Sequence, residues 1–236
     1  MSDWKAKRFW KEVTVDETPD GFAVLLDARP VRTPAKAPMH LPTRALAQAV
    51  ADEWQAQEAE IDPRTMPATR AANAAIDKVA VQFDEVAELL SAYGDSDLLC
   101  YRADAPQELA ERQAAAWDPL LDWAAETFGA RLEPRQGIMH AAQDAAALAR
   151  LGAEVRKLSN FELTAFHDLV GLSGSLVLGL AALHDHLPAE ELWELSRIDE
   201  RWQEEQWGHD EEAAEIAEIK RGSFLAAKRF HDLTRP

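Results

Sequence analysis

"PMHLPTRALAQAVADEW", residues 38–54, holds the change of pattern on which the fold turns. Before Thr43 the chain is written in short apolar runs cut by proline. After it, Leu46, Ala49, Val50, Glu53 and Trp54 recur at spacings of three and four, the period of an α-helix. Thr43 directly after Pro42 suits an N-cap, because its hydroxyl can accept a backbone N–H of the first turn. The chain therefore passes from strand to helix at 42 and 43.

Upstream, "FWKEVTV" (9–15) and "FAVLL" (22–26) are rich in β-branched, aromatic and aliphatic residues, and the turn-forming cluster "DETPDG" (16–21) separates them. That is the pattern of a hairpin. "DARPVRTP" and "PMHLP" follow with four prolines. Proline cannot donate to a ladder, so the later strands are expected to be short edges. Downstream the alanine-rich pattern predicts helices at about 67–80, 82–93, 106–128, 142–158, 160–170, 172–184 and 189–207, with another near 210–230. The expected class is α+β: a small antiparallel β-rich domain over residues 1–42, then a larger all-helical domain over 43–236.

Composition narrows the function. The 236 residues carry a formal net charge of −17, a field that repels nucleic acid and anionic membrane. One cysteine, Cys100, can build neither an intrachain disulfide nor a cysteine-based zinc site. The start, "MSDWKAKRFWKEV", has no apolar signal region, and no apolar run reaches the length of a membrane span. A bacterial cytoplasm is the simplest expected setting, and a mitochondrial matrix after loss of a presequence is the alternative.

The stretches that invite chemistry mostly decline it. "GLSGSLVLGLAAL" (171–183) breaks the G-x-S-x-G nucleophile pattern at Ser175 and lacks the lysine of a phosphate loop. Gly171, Ser175 and Gly179 instead fall at i, i+4 and i+8, a small-residue stripe expected on one face of a central helix. In "LHDHL" (183–187), His184 and His186 are two apart and precede Pro188, so they mark a helix end better than a metal site. Trp117, Leu120, Leu121 and Ala124 form a broad apolar stripe that belongs to a core. Arg70 and Asn73, three apart on an alanine-rich helix, could bind a loop or carboxylate together, or could brace the neighbouring sheet. No catalytic residue, metal ligand set or cofactor motif emerges. A helical enzyme using a small-molecule or metal pocket in the bundle stays open as the alternative.

"DERWQEEQWGHDEEA" (199–213) is the stretch that stands out. On a helix over 189–207, Leu195, Ile198 and Trp202 continue a buried stripe from Leu192. Trp207 projects away from that stripe, with Glu200, Glu204 and Glu211 at i−7, i−3 and i+4. An aromatic anchor rimmed by charge is what protein interfaces use. Gly208 leaves a second reading open, in which the helix breaks and Trp207 turns inward. The candidate contact set is Glu200, Glu204, Trp207, Asp210, Glu211 and Glu212, with Arg70 and Asn73 as a second patch.

"RFWKEV", "GFAVLLDARPVRTP", "LPTRALAQAVADEW", "IDPRTMPATRAANAAID", "DLLCYRAD", "WDPLLDW", "GLSGSLVLGLA" and "WQEEQWG", in that order, resemble the ATP-twelve chaperone family over nearly the whole chain, from about Lys7 to Leu225. The resemblance implies a small β-rich N-terminal domain, a helical C-terminal domain and no enzymatic activity. It implies one partner, the free alpha subunit of the F-type ATP synthase catalytic head, held until beta arrives, and no small-molecule substrate. An acidic side chain in the C-terminal region is important in the family; Asp210, Glu211 and Glu212 are the positions it would fall on. Ala28 stands where the family commonly has glycine, which argues against a tight turn of positive φ there.

Overall fold

The structure of the protein, a computed structural model, describes residues 7–235. It has an N-terminal antiparallel sheet followed by a mostly helical chain, and its contacts divide into two compact units.

The first unit comprises Met1–Phe83, Asn160–Ala165 and Arg229–Pro236. Strands β1 (Val13–Thr18) and β2 (Gly21–Leu26) form the expected hairpin, in register from Val13 opposite Leu26 to Thr18 opposite Gly21. The two-residue connection works because Gly21 sits at φ +126°, and a Cβ there would lie 2.5 Å from the carbonyl oxygen of Leu41. The short strands β3 (Arg29–Pro30) and β4 (His40–Leu41) both pair with β2. Contrary to the expectation from Ala28, the turn after β2 is tight, with Asp27 at φ 47° and Ala28 at φ 65°. An L-residue pays roughly 1–2 kcal/mol for this conformation. Asp27 holds the turn in place by accepting the backbone N–H groups of Glu12 and Lys11, which keep its carboxyl below the usual carboxylate range.

Helix α1 (Arg44–Gln55) begins as read from the sequence: Thr43 Oγ1 accepts the Leu46 N–H at 3.1 Å and also donates to the Leu233 carbonyl. Leu46, Ala47, Val50 and Ala51 are buried on the sheet, and Trp54 meets Trp10 edge to face at 5.2 Å. Glu53, on the same helix, caps α2 (Pro67–Ala74) by accepting from Ala68 N, Thr69 N and Thr69 Oγ1. Residues 75–79 continue as a π-helical turn whose Asp77 accepts from Thr33 and Ala35. Phe161, Ala165 and Phe230 complete this core from far along the chain. The change from strand to helix at 42 and 43 is thus internal to this unit, whose contacts continue to Phe83.

The second unit comprises Asp84–Ser159 and Phe166–Lys228. Its helices are most of α3 (Phe83–Ala92), α4 (Gln107–Phe128), α5 (Ala145–Val155), the greater part of α6 (Asn160–Ser173), α7 (Leu176–Leu183), α8 (Ala189–Leu195), α9 (Ile198–Trp207) and most of α10 (Glu211–Thr234). A two-residue parallel pair, β5 (Tyr101–Arg102) with β6 (Arg135–Gln136), was not foreseen. All eight residues of α7 are buried, so the central-helix reading holds. The three-residue stripe does not. Gly174 at φ 74° ends α6, Ser175 caps α7 by accepting the Leu178 N–H, and Gly171 is exposed with nothing within 4 Å of a Cβ. Gly179 alone makes the close approach: a Cβ there would lie 2.6 Å from Val170 and 2.8 Å from Phe166, both on α6.

The buried start of α7 needs acceptors for its free N–H groups. Asp97, fully buried, accepts from Val177 N at 3.0 Å, from Leu99 N at 3.0 Å, from Leu176 and from the Ser175 side chain. Burial outweighs these donors and pushes the Asp97 carboxyl up to about 6. Nearby Cys100, also buried, has its thiol pushed up to about 12 by desolvation and by Asp97.

Gly179→Leu should overpack the α6–α7 contact and cost roughly 1–3 kcal/mol, seen as a lower thermal midpoint, whereas Gly171→Ala should leave the midpoint unchanged or raised. The Asp97 carboxyl binds its proton more tightly in the folded chain than at its ordinary 3.8. Its stabilising contribution is therefore full below pH 3.8 and lost as pH rises through about 6. Thermal midpoints recorded across that window should fall with rising pH in the wild type and lose that component in Asp97→Asn.

Candidate interaction surface

The expected single helix over 189–207 is two helices, α8 and α9, because the chain leaves helical geometry at Arg197 (φ −113°, ψ 17°). The break preserves the apolar side: Leu192 and Ile198 are buried and Leu195 is half-buried. Asp199 and Glu200 fall in the first turn of α9, where the helix dipole favours negative charge. Helix α9 is fastened to α4 by Asp199, which accepts from Gln113 at 2.6 Å, and by a two-pronged pair between Arg112 and Glu205, both contacts at 2.8 Å. The Arg112 pairing holds the Glu205 carboxyl below its ordinary value. Trp117 reaches from α4 to donate its indole N–H to the Leu195 carbonyl at 2.8 Å.

Trp207 is the last residue of α9 and is 79% exposed. Gly208 at φ 93° ends the helix, its N–H returning to the Glu204 carbonyl at 2.9 Å. The break that could have turned the indole inward leaves it in solvent. Asp210 then caps α10, its carboxylate accepting from Glu212 N at 3.0 Å and Ala213 N at 3.1 Å, and Glu211 and Glu212 occupy the favourable first turn.

The acidic candidates and the tryptophan lie on different sides of α9. Glu200 and Glu204 line a charged trough of about 350 Å3 between α9 and α10, in which Arg197 pairs with Glu200 at 2.6 Å and Arg221 with Glu218 at 2.8 Å. Trp207 opens on a second groove, of about 510 Å3, against the start of α4. There its neighbours are Trp202, Asp199, Pro106 and Leu109. Trp202, expected in the buried stripe, is only half-buried and lines this groove. Leu109 and Pro106 lie some ninety positions earlier in the chain; an apolar residue alone in the otherwise polar first turn of α4 was the available signal.

Arg70 and Asn73 belong to the first unit, on α2. Arg70 is exposed, and Asn73 is half-buried, its Oδ1 out of solvent without a hydrogen-bond partner among the described residues. In the second unit His186 stacks on Trp123 at 4.6 Å and His184 meets Phe128 edge-on at 5.2 Å, so both imidazoles are engaged in ring packing. Among the described residues no three His, Cys, Asp or Glu side chains converge as a metal site would require, and no helix is long and apolar enough to cross a membrane.

Comparison with known proteins adds a family. The model of the ATP12 chaperone protein family matches residues 7–125, half of the chain. The crystal structure of Atp12 from Paracoccus denitrificans is 52% identical and superposes with a TM-score of 0.96, covering 99% of this chain and 100% of that one. A solved structure from Agrobacterium tumefaciens is 42% identical with a TM-score of 0.93, covering 97% of this chain and 86% of that one. The mitochondrial protein atp12 of Schizosaccharomyces pombe is 26% identical over 223 residues, 89% of this chain and 76% of the relative.

The exposure of Trp207 fixes what its removal should do to the fold. Trp207→Ala should shift unfolding free energy by no more than about 0.5 kcal/mol in a urea titration, the usual range for a surface substitution.

Proposed function

This chain belongs to the ATP12 chaperone family, and from that premise we propose that it holds the free alpha subunit of the F-type ATP synthase catalytic head until the beta subunit displaces it. A free subunit of a ring exposes the apolar face that its neighbour will later cover, and a patch of that size drives aggregation. A protein that covers the face reversibly removes the hazard without any chemistry. Such a role needs no catalytic residue, metal or nucleotide of its own.

The observation that carries this reading is Trp207, a large indole held almost fully in solvent at a helix end, with Asp199 in the groove beside it. Such a residue loses little by replacement unless a partner covers it. We assign Glu200, Glu204, Trp207, Asp210, Glu211 and Glu212 to the contact region, with Arg70 and Asn73 as a second patch. Asp210 acts there through the cap it gives α10. The net charge of −17 keeps a complex of this protein in solution and disfavours nucleic acid and anionic lipid as competitors. The bacterial cytoplasm is the proposed setting, with the mitochondrial matrix as the alternative that the fungal relative suggests.

Co-purification with separately expressed alpha subunit, with beta subunit as the control, tests the proposal. Selective capture of alpha that is lost on addition of beta is expected. Capture of neither subunit, or of both alike, would overturn it.

A further inference from the structure

In the second unit the three most exposed large apolar side chains are Ile138 (92%), Met139 (80%) and Trp207 (79%). Ile138 and Met139 do not sit on a loose loop. Gly137 N donates to the Arg102 carbonyl at 2.9 Å, and His140 is gripped between Tyr101 Oη at 3.2 Å and Asp95 Oδ2 at 3.3 Å. Arg135 Nη2 donates to the Ala142 carbonyl at 2.7 Å, and Gln143 N donates to Asp95 Oδ1 at 2.8 Å. A segment tied at both ends thus holds two apolar side chains out in water. Folding gains nothing from that placement, since neither side chain is buried.

The tied loop adjoins the groove beside Trp207. Gly137, at φ 78°, lies so close to Asp104 that a Cβ there would come within 2.9 Å of its carboxylate. Asp104 directly precedes Ala105 and Pro106, which form the groove wall opposite Trp202 and Trp207. Asp104 thus links the apolar knob to a groove of mixed lining, in which Pro106, Leu109, Trp202 and Trp207 are joined by Asp199, Gln203 and Gln206. Acidic side chains outnumber basic ones around the groove. Asp104 and Glu108 are exposed and have no ion pair among the described residues, and Asp199 lies in the groove. Of the neighbouring cations, Arg112 is paired with Glu205 and the buried Arg102 with Asp118 at 2.8 Å, while Arg135, at the base of the tied loop, donates to the Ala142 carbonyl.

We propose that Ile138, Met139 and the groove formed by Pro106, Leu109, Trp202 and Trp207 make one continuous docking surface for a bulky apolar side chain of the client flanked by lysine or arginine. The inference rests on the chaperone reading above and specifies what part of the client is held. The groove takes the side chain, Asp104 and Asp199 face the flanking cation, and the knob inserts beside it. Burying two anchors on one strip excludes water from the charged rim, where the acid–base pairing strengthens as local dielectric falls.

Binding of purified alpha subunit to the full chain, measured by calorimetry, tests this. The double variant Ile138→Ser/Met139→Ser and the groove variants Leu109→Glu and Gln206→Arg should each weaken binding by about tenfold or more. Gln206→Arg places a cation at an exposed lining position, so it keeps the test sound if Leu109→Glu disturbs the fold. Val81→Ser, an equally exposed apolar residue of the first unit, should stay within about twofold. Raising ionic strength should weaken wild-type binding more than that of Asp104→Asn. Wild type that binds alpha while the variants bind as tightly overturns this surface and leaves the chaperone reading standing. Wild type that does not bind alpha overturns both. A self-associated wild type that the double variant dissociates, with alpha binding unaffected, shows that a second copy is the occupant and overturns the proposal.

Discussion

The second unit is assembled on α7, a helix with no exposed residue, and a helix can be buried to its first turn only if its leading N–H groups find acceptors within the protein. Asp97 and Ser175 supply them. Ser175 is local, the residue that caps the helix. Asp97 comes from eighty positions earlier and in the same step closes the turn at Leu99, so a single carboxylate joins two distant segments. Gly179 then lets α6 and α7 close to contact, and α4 packs on α7 and carries α9 outward. The candidate surface is thus built on the sides of two helices that the buried helix holds in place, which is the rigidity a docking site requires.

The elements legible in the sequence were those fixed by neighbours in sequence. Thr43 after Pro42 and the period of α4 carry their cause within a few residues, and those helices begin where the pattern places them; the cluster at 16–21 marks the hairpin, but its turn narrows to 19–20 and β1 is displaced to Val13–Thr18. What was illegible depended on contacts across the chain. Nothing in "NFELTA" says that Phe161 joins Phe230 and a sheet 140 residues away. The β5–β6 pair is two residues long and too short to have a period. The spacing of Gly171, Ser175 and Gly179 counted three positions on one helix, but Gly174 takes a positive φ and separates them. Ala28 shows the opposite case: a residue poorly suited to its turn is held there because Asp27 bonds to the strand before it.

The surroundings of Trp207 in the candidate surface were legible in part. Five residues from Trp202, Trp207 had to leave the apolar stripe, and it does. Its supposed companions were drawn from a helix that continues, and Gly208 stops that helix, so Glu211 belongs to the next one. Glu200 and Glu204 face the trough on the far side of α9. The true companions, Pro106 and Leu109, are brought by α4, and no periodicity within α9 could have named them. Ile138 and Met139 escaped notice for a plainer reason: in sequence they are an ordinary apolar pair, and only their exposure distinguishes them.

The lone cysteine has a bearing on how such a molecule endures in the cell. Cys100 is buried, and with its thiol pushed up to about 12 only roughly one molecule in 10⁵ carries the thiolate at neutral pH. The exposed thioether of Met139 is open to peroxide, but thiol oxidation and disulfide exchange act through the thiolate, so Cys100 gives an oxidant no means of cross-linking this protein to another chain. The same inertness makes any cysteine introduced on the surface the single reactive thiol of the chain, a site for one label and no other.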